Sequence, residues 1–215
     1  MFSKIFPKIH PEGYKFLIIA GIITIVLYSF SDFFGLIGFV ITIWVYYFFR
    51  DPDRIIIEDD NYLVSPADGE VIKVEEIDGP KELGLENKRF KKISIFMNVF
   101  DCHVNRSPCG GKIQEILYKP GKFFNASLDK ASEDNERNYY KIKDNQNNDI
   151  ILVQIAGLVA RRIVCEANKD QTVKQGDRVG IIRFGSRADI YYENYEPLVK
   201  VGQRAISGET LIAKK

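Results

Sequence analysis

Two hydrophobic patterns divide the chain. From Phe16 to Phe49 nearly every position is apolar and the single charge is Asp32. The stretch reads "FLIIAGIITIVLYSF", then "SD", then "FFGLIGFVITIWVYYFF". Neither run has a polar face, so each predicts a helix that is apolar all round, which a small soluble domain cannot easily cover. A cleaved signal peptide would place a small-residue cleavage site after one apolar run, whereas here a second run follows. The pattern therefore predicts an N-terminal membrane-associated helical hairpin over residues 1–50. Each run is short for a complete crossing, so a spanning and a re-entrant hairpin both fit. Lys4, Lys8 and Lys15 flank one end and Arg50 and Arg54 the other, and the connecting Ser31-Asp32 holds no Lys or Arg. The positive-inside rule then puts both ends on the cytoplasmic side. Trp44, Tyr46 and Tyr47 near the exit suit an interfacial aromatic belt.

After "FFRDPDR" the period shortens. "YLVSPADGEVIKVEEI" predicts a strand, a Pro-Ala-Asp-Gly turn and a second strand, and "KKISIFMNVFDCHVNR" is strongly β. "GKIQEILYKPG" ends on a Pro-Gly stop. "NERNYYKIKDNQNNDIILVQIAG" predicts a hairpin turning at "DNQNND", and "GLVARRIVCEA" a strand or a short helix. The basic "NKRFKK" run reads as a solvated loop. "VKQGDRVG" at 173–180 and "VKVGQRAI" at 199–206 share a V-K-x-G-x-R frame, each a strand, a glycine turn and a strand. Such a repeat fits either two similar halves or two chance hairpins. Helical periodicity is poor beyond residue 55. The fold expected over residues 51–215 is mainly β, a compact barrel or sandwich-like domain.

Composition narrows the function classes. A chain of 215 residues with a net charge of +1 suits one globular domain plus an appendage. Charges of both signs are mixed, which excludes a general nucleic-acid footprint. Cys102, Cys109 and Cys165 are an odd set without paired metal-ligand spacing, so no metal is expected and the thiols read as reduced. Taken alone, Gly185-Ser186 in "RFGSRADIY" reads as a turn.

Seven segments in order change that reading: "FFRDPDR", "SPADGEV", "MNVFDCHVNRSP", "NERN", "VQIAGLVARRIVC", "IIRFGSRADIY" and "VGQRAISGETLIA". Together they resemble the short bacterial form of the phosphatidylserine decarboxylase proenzymes, over nearly the whole chain. The resemblance implies self-cleavage between Gly185 and Ser186, giving a β chain 1–185 and an α chain 186–215 that stay together as a heterodimer. It further implies that Ser186 becomes a covalent pyruvoyl group. That group would decarboxylate phosphatidylserine to phosphatidylethanolamine through a Schiff base with the substrate amine. The location implied is the inner membrane, with the catalytic domain on its cytoplasmic face. The residues agree with this chemistry. Ser186 Oγ is a nucleophile beside a carbonyl carbon that has no neighbouring Cβ to hinder it.

An activated Ser needs a base. His10 precedes the apolar run, which leaves His103. Asp68 matches the family's motif Asp and could orient His103; Asp101, two positions away, is a rival on the same strand face. Longer members carry a second His in "D-x-H-x-x-H", where this chain has Arg106, so His103 would serve both self-cleavage and protonation unless another group takes one role. Arg137, Asn138, Arg161 and Arg162 lie in matching motifs and suit phosphate or carboxylate capture, or else strand-edge salt bridges. A homo-oligomer is compatible with the sequence. Rival readings are a membrane-anchored non-enzymatic β-binding module, which predicts one intact chain, and a decarboxylase of a related serine phospholipid. An N-terminal-nucleophile hydrolase would instead leave a serine amine at the new terminus.

Overall fold

The computed structural model describes residues 6–126, 134–157, 162–183 and 186–215. Gly185 and Arg161 of the expected site lie outside these residues. The chain divides into two compact units, Met1–Asp53 and Arg54–Lys215.

In the first unit both apolar runs are helical: α1 (Tyr14–Phe30) and α2 (Asp32–Phe48). They break at Ser31, which is extended and whose side chain accepts from the Phe33 N–H. The two helices pack closely because glycines face them. A Cβ on Gly35 would meet the Tyr28 ring, and one on Gly38 would meet Thr24. Thr24 and Thr42 hydroxyls hydrogen-bond across the pair at 2.9 Å. Counted with its 3-10 start, Pro11–Phe30 is long and apolar enough to cross a membrane, and α2 is a shorter apolar helix. Short strands β1 (Lys8–Ile9) and β2 (Arg50–Asp51) pair antiparallel at the hairpin's ends.

The second unit is mainly β, as the sequence predicts. Its strands are β3 (Tyr62–Val64), β4 (Gly69–Asp78), β5 (Arg89–Met97), β6 (Val104–Arg106), β7 (Gly111–Lys119), β8 (Arg137–Asp144) and β9 (Asp149–Ala156). There follow β10 (Ile163–Cys165), β11 (Thr172–Val173), β12 (Arg178–Ile182), β13 (Ser186–Tyr192), β14 (Glu196–Pro197), β15 (Arg204–Ala205) and β16 (Leu211–Lys214). Eight form one sheet in the order β11-β7-β8-β9-β13-β5-β4-β15, curled into a half-barrel. Two three-stranded sheets, β10-β12-β6 and β14-β16-β3, complete the unit. Every strand pair is antiparallel.

The middle of the eight-stranded sheet is covered on both faces, which is why β9 is buried at every position. Alternate side chains serve different cores. Ile93, Ile95, Tyr140, Leu152, Ala188 and Ile190 belong to the main core on the inner face. Phe90, Tyr139, Ile151, Val153 and Ile155 form the outer cluster, under Leu83 and Leu85.

One expectation needs correction, and one open alternative is decided. The "NKRFKK" run is not a loop beyond Lys88, because β5 begins at Arg89. Phe90 enters the outer core, while Lys91 and Lys92 find Glu196 and Glu75. Paired charges thus let a basic stretch lie in a sheet. The V-K-x-G-x-R repeat is a likeness of turns and goes no further. Gly176 and Gly202 both take φ in the left-handed region, +81° and +90°. In each turn the residue before the Arg caps the Lys N–H with its side chain, Asp177 for Lys174 and Gln203 for Lys200. The flanking strands then join different sheets, so the unit is not built from two similar halves.

Candidate active site

Ser186 is the first residue of β13, at one end of the sheet's central strand, and not a turn residue. It pairs in register with Met97 on β5 and with Ala156 on β9, and it is fully buried. Its side chain shares the inner face with Ala188 and Ile190, while the next residue, Arg187, turns to the outer face. There Arg187 forms a two-pronged ion pair with Asp189, both bonds 2.6 Å and both residues buried. This pair fixes β13 from behind. Removing one partner would leave the other charge buried and uncompensated.

His103 is fully buried just before β6. Its carbonyl accepts from Ile182 N at 3.3 Å, which ties the histidine to the strand end four residues upstream of Ser186. Its Nδ1 lies 2.9 Å from the Asp101 carbonyl oxygen. A carbonyl can only accept, so Nδ1 carries a proton, and in the neutral ring the lone pair is then on Nε2. The ring is thus oriented by backbone.

The carboxylates of the two acidic residues expected near the ring have other partners as well. Both Asp68 oxygens receive Arg54 Nη2, at 2.8 and 2.7 Å, and Oδ1 also accepts the Ser207 N–H at 2.8 Å. Asp68 is therefore the hub of a buried joint between three loops, built on a charge-assisted pair. The Asp101 carboxylate accepts from Asn98 N and from Arg204. Arg106, which stands where longer members carry a second His, points away: its Nη1 donates to the Gly176 carbonyl at 2.9 Å.

The remaining expected residues are not gathered in one place. Arg137 and Asn138 are neighbours on β8 and so point to opposite faces. Arg137 is buried on the outer face, 3.4 Å from Glu82, lining a cavity of about 290 Å³ with Lys92, Tyr139, Asp189 and Tyr191. Burial pushes the Tyr139 phenol far above its ordinary range, opposed by the Arg137 charge. Asn138 is on the inner face, 3.4 Å from Gln154 Oε1. Arg162 is exposed, and its carbonyl accepts from Arg183 N.

Sequence reasoning missed Arg54, Met97, Asn105, Tyr140 and Gln154. Two of them left a legible signal. Gln154 is the one polar side chain inside the apolar run "IILVQIA", and Asn105 follows His103 at the two-residue spacing of a strand face.

Comparison with known proteins agrees with the motif order. The family model described as phosphatidylserine decarboxylase matches residues 41–213. A phosphatidylserine decarboxylase proenzyme of Pelagibacter ubique is 74% identical over 215 residues, covering 100% of both chains. Proenzymes of the same name from Ruegeria pomeroyi and Rickettsia typhi are 52% and 50% identical. The first covers 95% of this chain and 94% of its own, the second 99% and 92%.

Proposed function

This chain belongs to the phosphatidylserine decarboxylase family and is a decarboxylase, and we propose that it makes its own catalytic group by cutting Gly185-Ser186. The observation that carries this reading is the place of Ser186: a fully buried hydroxyl at the first position of the central strand. His103 is stitched by its backbone to the segment entering the cut.

In the proposed sequence Ser186 Oγ attacks the Gly185 carbonyl carbon and its proton passes to His103. The peptide C–N bond breaks, the amine takes up that proton, and an ester joins the two residues. His103 then accepts the Cα proton of residue 186. The C–H pair becomes a Cα=Cβ bond, and the Cβ–Oγ pair leaves with the Gly185 carboxylate. The dehydroalanine left on the new terminus tautomerises, and water hydrolyses it with release of ammonia to a pyruvoyl group. Proximity and a dry surround favour the first attack, since nucleophile and carbonyl are neighbours in the chain.

When present, the pyruvoyl group supplies an acceptor for the substrate amine and an electron sink for the pair left by departing CO₂. The shell around position 186 suits such a carbonyl, because Ala156 and Met97 flank it and exclude water. The substrate is phosphatidylserine and the product phosphatidylethanolamine. In this reading His103, once protonated, returns a proton to the decarboxylated carbon.

The cut need not separate the products. The small chain would keep β13 hydrogen-bonded between β5 and β9, β15 on β4, and β16 on β3. The processed enzyme is then a heterodimer of chains 1–185 and 186–215. The apolar helix Pro11–Phe30 supports a membrane location. The lysines and arginines flanking the hairpin favour the cytoplasmic face of the inner membrane. On a denaturing gel the purified protein should run as two chains, and Ser186→Ala as one. A wild-type chain that stays whole through long incubation overturns the proposal.

A further inference from the structure

A polar chain crosses the apolar inner core and ends at Ser186. It starts at Tyr140 on β8, whose hydroxyl lies 2.8 Å from Gln154 Oε1. Gln154 Nε2 donates to Asn105 Oδ1 at 2.9 Å. The Asn105 amide nitrogen reaches Met97 Sδ at 3.6 Å, and the Ser186 hydroxyl reaches the same sulfur at 3.8 Å. Asn105 and Gln154 are fully buried, as is Met97.

The orientation of the Asn105 amide is fixed by its neighbours. The group facing Met97 also lies 3.4 Å from the Pro66 carbonyl oxygen. An amide oxygen there would face another acceptor, so this group is the NH₂. Its opposite end must then be the oxygen that accepts from Gln154. Both contacts of the NH₂ are long for an amide donor, whose usual distance is roughly 2.9 Å. A core amide held in place at one end and weakly satisfied at the other is costly unless it has a task. The sulfur between Asn105 and Ser186 is a weak acceptor. It accepts the Ser186 hydroxyl only weakly, so the oxygen is held in place while the proton is free to turn to the base.

We propose that Asn105, held by Gln154 and acting through the Met97 thioether, is a positioning residue that aims the Ser186 hydroxyl for self-cleavage. This rests on the self-cleavage reading above. It also explains why a methionine stands opposite Ser186 on β5, where Leu or Ile would fill the core equally well. Small errors in the placement of a nucleophile are expensive, up to roughly 10²-fold per ångström.

The test is a double-mutant cycle on the full-length precursor, with Asn105→Leu, Met97→Leu and both together, reading the rate of chain cleavage against pH. Met97→Leu conserves volume and keeps the core filled. Each single variant should cleave roughly ten-fold or more slowly, and the double no more slowly than the worse single, because both act through one contact. The plateau of the pH profile should fall while its midpoint stays, since the base is untouched. Singles that cleave within about two-fold of wild type overturn the proposal, as does a double whose loss is the product of the two. If Asn105→Leu does not melt cooperatively, the Met97→Leu rate decides alone. A wild-type precursor that never cuts overturns the self-cleavage reading and this one with it; a wild type that cuts with the variants keeping pace overturns only this one.

Discussion

If His103 is the base that takes the Ser186 proton, His103→Ala should accumulate uncut precursor. The expected loss is roughly 10²–10⁴-fold in cleavage rate, the usual worth of a general acid–base group. A variant that cuts normally but releases no CO₂ would confine His103 to protonation of the substrate carbon, and one that does both at the normal rate would make it structural. Asp68 should behave differently. Its carboxylate is held by Arg54 and Ser207 N, so Asp68→Asn and Arg54→Met should both lower the melting temperature while slowing cleavage less than His103→Ala. The candidates proposed for nucleophile and base were legible in the sequence, because Ser186 sits in a recognisable run and only one histidine follows the apolar segment. What orients that histidine was not. A backbone acceptor such as the Asp101 carbonyl leaves no mark in side-chain identity, whereas a carboxylate at the right spacing does.

Strand pairing puts the site's two halves in contact, and it does so through close backbone approaches. Gly180 on β12 has φ +156°, and a Cβ there would fall 2.2 Å from the Val164 carbonyl oxygen on β10. Gly180→Ala should therefore strain the β10-β12-β6 sheet, lowering stability by about 1–3 kcal/mol. Because β12 leads into the proposed cut and β6 carries Asn105, precursor cleavage should slow as well. Thermal melting and a cleavage time course on the same sample check both; an unchanged melting temperature would mean that β10 gives way freely. The hairpin of β8 and β9 was readable from its polar turn between two β-prone runs. Arg89–Lys92 was not, because a run of cations reads as solvated until the opposite charges on distant strands are known. The same limit hid the split of Arg137 and Asn138, whose adjacency in sequence guarantees opposite faces once β8 is a strand.

Across the whole chain, an apolar helical unit joined to a β unit by Asp53-Arg54 suits an enzyme whose substrate is a membrane lipid. The protein should sediment with membranes and resist extraction at high salt, since the helices are apolar all round and not held by surface charge alone. Recovery of the intact chain in the soluble fraction would remove the membrane from the account. The chemistry at position 186 is read from the intact mass of the small chain released by denaturing the purified wild-type protein. The expected fragment begins at position 186 and ends at Lys215, lighter by one NH₃ than the same peptide with an N-terminal serine. A fragment with the full serine mass would show cleavage without a pyruvoyl group, and a single uncut chain would overturn self-cleavage altogether.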